Sequence, residues 1–288
     1  NSQIKIKIKI KIKINGSACA SSAAQRRLPL WKILPRLSTI RAITADTAHS
    51  PPAPEPFFME EIEQRWLYAL SAPMAALNGA SMTSPRYFDD EGDLDLKKWW
   101  GINNRRELLQ MLRMADTGHA ELLNDAYWQY PRCQPSEWQT LLDDLAPRQR
   151  ANYAFAARTY PDCGFGGTRA WDLGRMGYLL RAGVFENLIT EPESLWLHSR
   201  LALRARHFYN SWDTYIAGYM FGKSAWNCSD HDDEDYPLRL DRQGAEHWNR
   251  CIIMNMLKRA TPLFASLPWD LPLDYPPRPD SLEEDTWS

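Results

Sequence analysis

The chain has 288 residues, 44% of them hydrophobic, with 13 Trp, 12 Tyr and 9 Phe, and that composition excludes wholesale disorder. Its net charge of −2 is unevenly spread: residues 1–58 hold ten Lys or Arg against only Asp46 and Glu55, so the remainder is acidic and nucleic acid is not an expected partner. Five scattered cysteines with no C-x-x-C pair fit a reducing, cytoplasmic setting, and no apolar run approaches the roughly 18–20 residues of a transmembrane span.

Residues 4–14 read IKIKIKIKIKI, an alternation that places Ile on one face of a strand and Lys on the other. Three readings stay open: an amphipathic hairpin or edge strand, a membrane-surface or assembly segment, or a simple coding repeat or appended tag. Residues 15–56 are rich in small and basic residues and end in SPPAPEP, which is linker composition. Residues 1–58 are therefore expected to be a β-patterned or disordered extension, and Met59 is a candidate biological start of translation.

The expected fold is mainly α, a single multi-helix globular domain over 59–270 followed by an extended, proline-rich acidic tail over 271–288. The first helix is expected over 59–77, with Ile62, Trp66, Leu67, Leu70 and Met74 inward and Pro73 ending or kinking it. A turn region follows over 78–96, and small β additions in the 80–100 region are an open alternative. Asn104 then caps a helix to about 116, with Leu108, Leu109, Leu112 and Met111 inward and Gly118 as its C-terminal cap. Another helix is expected at 119–129. Ser136 is expected to cap a segment carrying Leu141, Leu142 and Leu145. Residues 148–160 are helical in propensity and PDCGFGGT at 161–168 breaks the chain. A helix over 169–182 should stop at Gly183. Thr190 and Glu193 form a capping box that opens a helix to about 209. Asn210 or Ser211 caps the next, to about 226. The last helix is expected over about 242–260, through Trp248, Ile252, Met256 and Leu257, with an extended chain from 262.

Three fragments carry a resemblance: WWGINNRRELLQML at 99–112 with GH at 118–119, RAWDLGRMGYLLRAG at 169–183, and FYNSWDTYIAGYMFGKSAW at 208–226. In this order, with W-D-x-G-R and S-W-x-x-Y among them, they resemble the bacterial domain-of-unknown-function family 1266 of enterobacteria, over about residues 95–226. The resemblance implies a bacterial, cytoplasmic protein. It supplies no activity, cofactor or catalytic residue.

One polar-aromatic cluster stands out as a candidate site. Asp172 and Arg175 are three apart on one helix, and Ser211, Trp212, Asp213 and Tyr215 open another, with Trp171 and His119 as further members. Arg175 could orient a phosphate or carboxylate, with Asp172, Asp213 or His119 as acid-base partner. The alternative is a structural ion-pair network within an aromatic core. The glycine loop at 163–168 lacks a P-loop or dinucleotide signature and reads as a turn. The acidic stretch CSDHDDED at 228–235 lacks EF-hand spacing and reads as a solvated loop, so no metal site is expected. Arg181, Arg200, Arg204 and Arg206 suggest a basic stripe or a solvated face paired with acids.

No catalytic pattern assembles from the sequence, and whether the protein is an enzyme stays open. The favoured function is a binding or regulatory module that holds a protein partner through an aromatic-rich helical surface (Trp212, Tyr215, Tyr219, Trp226). The other is a small-molecule hydrolase or transferase using the Asp172–Arg175–Asp213 cluster and His119. No cofactor is indicated.

Overall fold

A computed structural model of the chain describes residues 58–88, 94–229, 235–246, 261–283 and 286–287. Helices are the only regular structure among them. The Ile-Lys repeat lies outside the described residues.

The expected first helix is two. Helix α1 (Glu61–Ala69) opens with a capping box between Glu60 and Glu63, and the chain turns at Leu70 and Ser71. Helix α2 (Ala72–Asn78) carries Pro73 in its first turn, where a missing N–H costs nothing. Trp66, Leu67, Leu70 and Met74 are buried as expected, whereas Ile62 is 42% exposed.

Helix α3 (Leu96–Trp100) leads to α4 (Arg105–Met111), where Asn104 accepts a hydrogen bond from the Glu107 amide as the expected cap. The expected helix to 116 is interrupted after Leu112, and α5 (Met114–Thr117) is a separate turn. Helix α6 (Glu121–Gln129) continues into a 3-10 turn over Tyr130–Arg132. Helix α7 (Pro135–Asp144) is capped by Gln134 with Glu137, not by Ser136, and buries Trp138 while Leu141 and Leu142 are only half-buried. Helix α8 (Pro147–Cys163) runs through Pro161, past its expected end. A proline this near the C-terminus removes one backbone bond from the last turn, and the chain breaks instead at Gly164, with φ +63°.

Helix α9 (Arg169–Phe185) is the hub, with every residue from Ala170 to Val184 buried. It is apolar almost all round, the pattern of a helix enclosed on every side. It does not stop at Gly183, which lies under Leu108 of α4; the chain turns at Asn187, with φ +57°. Helix α10 (Glu191–Phe208), opened by the expected Thr190–Glu193 capping box, and α11 (Trp212–Ser229), capped by Ser211, pack along α9. Gly222 sets the α9–α11 approach: a Cβ there would lie 2.4 Å from the Trp171 Cβ. Helices α2, α4 and α5 also rest on α9.

A smaller apolar cluster joins α8 to α6, α11 and α12 (Tyr236–Glu246) through Phe155, Tyr127, Phe221 and Tyr236. Helix α12 ends at Glu246, and most of the helix expected over about 242–260, with Trp248, Ile252, Met256 and Leu257, lies outside the described residues. The chain expected to be extended from 262 first forms α13 (Thr261–Ser266). Irregular chain then binds the body through indole donors. Trp66 Nε1 donates to the Pro268 carbonyl at 3.0 Å, Trp212 Nε1 to that of Leu267 at 2.6 Å, and Trp287 Nε1 to Asp116 Oδ2 at 2.9 Å. Among the described residues, no helix is long and apolar enough to cross a membrane.

Candidate functional site

Helical spacing places Asp172 and Arg175 on one face of α9, Oδ1 and Nη1 3.6 Å apart, each residue only 1% exposed. Asp172 Oδ2 accepts a hydrogen bond of 2.8 Å from the Ala120 amide, which ties the turn before α6 to α9. Gly118 belongs to this contact. Expected to cap a helix, it instead has extended backbone, and a Cβ there would lie 2.4 Å from the Asp172 Cγ. The Arg175 guanidinium lies 4.7 Å from the Trp100 ring and 5.1 Å from the Trp171 ring.

Helix α11 supplies the opposite wall. Tyr219 meets Trp171 edge-on at 5.1 Å, and Lys223 Nζ lies 5.4 Å from the Trp171 ring and 5.8 Å from the Trp226 ring. Residues 219, 223 and 226 share a helix face, and Gly222 beside them allows the close approach. Between these side chains and Met74 and Leu77 of α2 is a cavity of about 10 Å³, room for one water molecule. Three residues of the lining hold a buried polar atom that makes no hydrogen bond among the described residues, Trp171 Nε1, Arg175 Nη1 and Tyr219 OH; Asp172 Oδ1, outside the lining, likewise has only its 3.6 Å ion pair with Arg175. Such atoms are uncommon in native interiors and occur where function or strain maintains them.

The electrostatics are those of a positive pocket. Burial, followed by repulsion from Arg175, pulls the Lys223 ammonium down to about 8. The same two causes, in the same order, pull His119 down to about 4. Burial pushes the Asp172 carboxyl up to about 6, against the opposing pull of Arg175 and the Ala120 amide. Arg175 thus has beside it one carboxylate whose ionisation is itself disfavoured, and Lys223 has none in salt-bridge reach among the described residues.

The expected cluster divides. Asp172, Arg175, Trp171 and His119 come together, joined by Lys223 and Tyr219, which carried no motif. Ser211 accepts from the Thr214 amide as the α11 cap, and Asp213 beside it is exposed, away from Arg175. A position two residues before Tyr215 falls on the other side of the helix. Trp212 and Tyr215 belong to a separate aromatic group with Trp66 and Trp269, where Tyr215 OH donates to the Leu70 carbonyl. They are 7% and 0% exposed, so these two members of the expected aromatic surface are interior.

The other sequence candidates resolve structurally. Arg181 is buried rather than part of a stripe: Nε donates to the Ser84 carbonyl, Nη1 to Ser71 Oγ and Nη2 to the Ser81 carbonyl. Arg204 pairs with Asp116 at 2.6 Å, and Arg206 donates to the Leu271 carbonyl. At the glycine loop, Tyr209 OH accepts from the Ala170 amide and faces the Gly166 and Gly167 carbonyls, filling the N-terminus of α9. Residues 230–234 of the acidic stretch lie outside the described residues. Among the described residues, no three His, Cys, Asp or Glu side chains converge as metal ligands.

Comparison with known proteins places these elements in context. The chain is 41% identical to the uncharacterised protein YbeU of Escherichia coli (strain K12) over 179 residues, 61% of this chain and 76% of that protein. It is 36% identical to the uncharacterised protein YbeR of the same organism over 233 residues, 78% of this chain and 98% of that protein. No solved structure matches. The model of DUF1266, described as a protein of unknown function, matches residues 95–269, which include α9, α11 and the pocket residues they carry. The chain belongs to that family.

Proposed function

We propose that this domain is a binding protein for a small organic carboxylate, held between α9 and α11 by Arg175 and Lys223. The observation that carries the reading is that three residues lining one cavity, Trp171, Arg175 and Tyr219, each hold a buried polar atom without a hydrogen bond among the described residues, beside a second lining cation, Lys223. A carboxylate supplies what this arrangement lacks: acceptors for the guanidinium, the indole N–H and the phenol, and a negative charge that offsets Lys223. Met74, Leu77 and Trp226 make the rest of the wall apolar, which suits a short carbon chain better than a phosphate. The cavity is small, so binding requires outward movement of half-buried Leu77 and Trp226. A cytoplasmic setting agrees with the free, buried thiol of Cys163.

Thermal shift and calorimetry on the full chain with acetate, propionate, pyruvate and inorganic phosphate test this. Propionate or pyruvate should stabilise the protein, and Lys223→Met or Arg175→Lys should weaken binding at least about tenfold, one lost charged contact. No stabilisation by any carboxylate, or equal binding by both folded variants, overturns the reading.

A further inference from the structure

We infer that Lys223 condenses with the carbonyl carbon of a small 2-oxo acid to form an imine, while Arg175 holds the acid's carboxylate. The inference rests on the carboxylate-binding reading and adds a covalent step to it. Three observations lead there. Lys223 is 7% exposed in the interior face of α11, with no carboxylate in salt-bridge reach among the described residues. A buried lysine of this kind is normally paired, and an unpaired one is costly to keep. Next, Lys223 and Arg175 lie over the same Trp171 ring, at 5.4 Å and 5.1 Å, so a molecule resting against that indole meets both. A 2-oxo acid carries its carboxylate and its carbonyl on adjacent carbons, the short span that two such neighbouring groups would engage. Third, the Tyr219 hydroxyl and the Trp171 N–H make no hydrogen bond among the described residues and are donors available to a carbonyl oxygen that gains negative charge.

The chemistry balances without an oxidant or reductant. The neutral amine adds its lone pair to the carbonyl carbon, and one of its two protons passes to the oxygen. The nitrogen's remaining proton then passes to that hydroxyl as the C–O bond breaks, and the oxygen leaves as water. Only the unprotonated amine attacks. Burial and then Arg175 lower the Lys223 ammonium to about 8, so about a quarter is neutral near pH 7.5, against roughly a thousandth for a free lysine.

The test is reductive trapping of the full chain with pyruvate and cyanoborohydride at neutral pH, read by intact mass and peptide mapping, with thermal shift in parallel. One carboxyethyl group on Lys223, suppressed by excess propionate and absent from Lys223→Met and Lys223→Arg, is the expected result. Exposed Lys97 and Lys98 serve as internal controls for surface labelling. If pyruvate stabilises the protein and Lys223 stays unlabelled, the imine is overturned while carboxylate binding stands. Labelling confined to surface lysines likewise overturns it. If pyruvate and propionate neither stabilise nor label, both readings fall together.

Discussion

Arg105 and Glu193 meet in a two-pronged ion pair, Nη1 to Oε2 at 2.8 Å and Nη2 to Oε1 at 2.7 Å, while the same carboxylate closes the capping box of α10. Ser281 Oγ also donates to Glu193 Oε1, at 2.5 Å, so one buried side chain joins α4, α10 and the C-terminal segment. Burial raises the carboxyl, but Arg105, Ser281 and the Thr190 amide outweigh it and hold Glu193 down to about 2.

Glu193→Gln should therefore destabilise the fold by about 2 kcal/mol at pH 7, the scale of a lost charged hydrogen-bond set partly screened at Arg105. A folded pKa below the unfolded one gives stability that is present above about 4.5 and lost as pH falls towards 2. Urea unfolding of both forms across that range checks it. The gap should begin to narrow below about pH 4.5 and close near pH 2.

Lys223 behaves in the opposite sense. Its folded pKa of about 8 lies below that of a free lysine, so protonation opposes folding at neutral pH, and the penalty is relieved as pH rises from about 8 to about 10.4. Lys223→Met should stabilise the ligand-free protein by about 1–2 kcal/mol at pH 7 and flatten its stability profile over that interval. A lower midpoint for the variant at pH 7 would show that the ammonium is compensated in the fold.

Gly222→Ala should cost about 3 kcal/mol, because the new Cβ meets the Trp171 Cβ at 2.4 Å and the Thr168 carbonyl at 2.8 Å. Both are stiff parts of α9 and its entry turn. Loss of near-ultraviolet circular dichroism from the displaced indole should accompany the shift in the urea midpoint.

Tyr209→Phe removes the hydroxyl that accepts from the Ala170 amide and faces the Gly166 and Gly167 carbonyls. With those groups buried, the expected loss is about 1–3 kcal/mol with the helical content unchanged. Far-ultraviolet circular dichroism during denaturation distinguishes this from a local rearrangement without cost.

Helix existence was legible wherever the apolar period ran with a local start signal. Asn104, the Thr190–Glu193 pair and Ser211 all act as their chemistry suggests. Ends read from glycine were not: Gly118 and Gly183 are small because Asp172 and Leu108 press on them, a demand made by distant residues. Asp172 and Arg175 came together because i, i+3 spacing is a local rule. Lys223 escaped notice because a lone lysine among aromatics announces nothing until α9 lies against α11. Asp213 misled because sequence proximity to Tyr215 says nothing about side, and the helix turns it outward.

The indole and carboxylate ties between the first helix and the last segment have a consequence for synthesis. Trp66 donates to the Pro268 carbonyl, and Glu63 accepts from the Asp274 amide. These partners stand about two hundred residues apart, so the nascent α1 emerges from the ribosome long before the chain that covers its apolar face. This part of the core can close only once the chain through Asp274 has been made, and until then the Trp66 face lacks its cover.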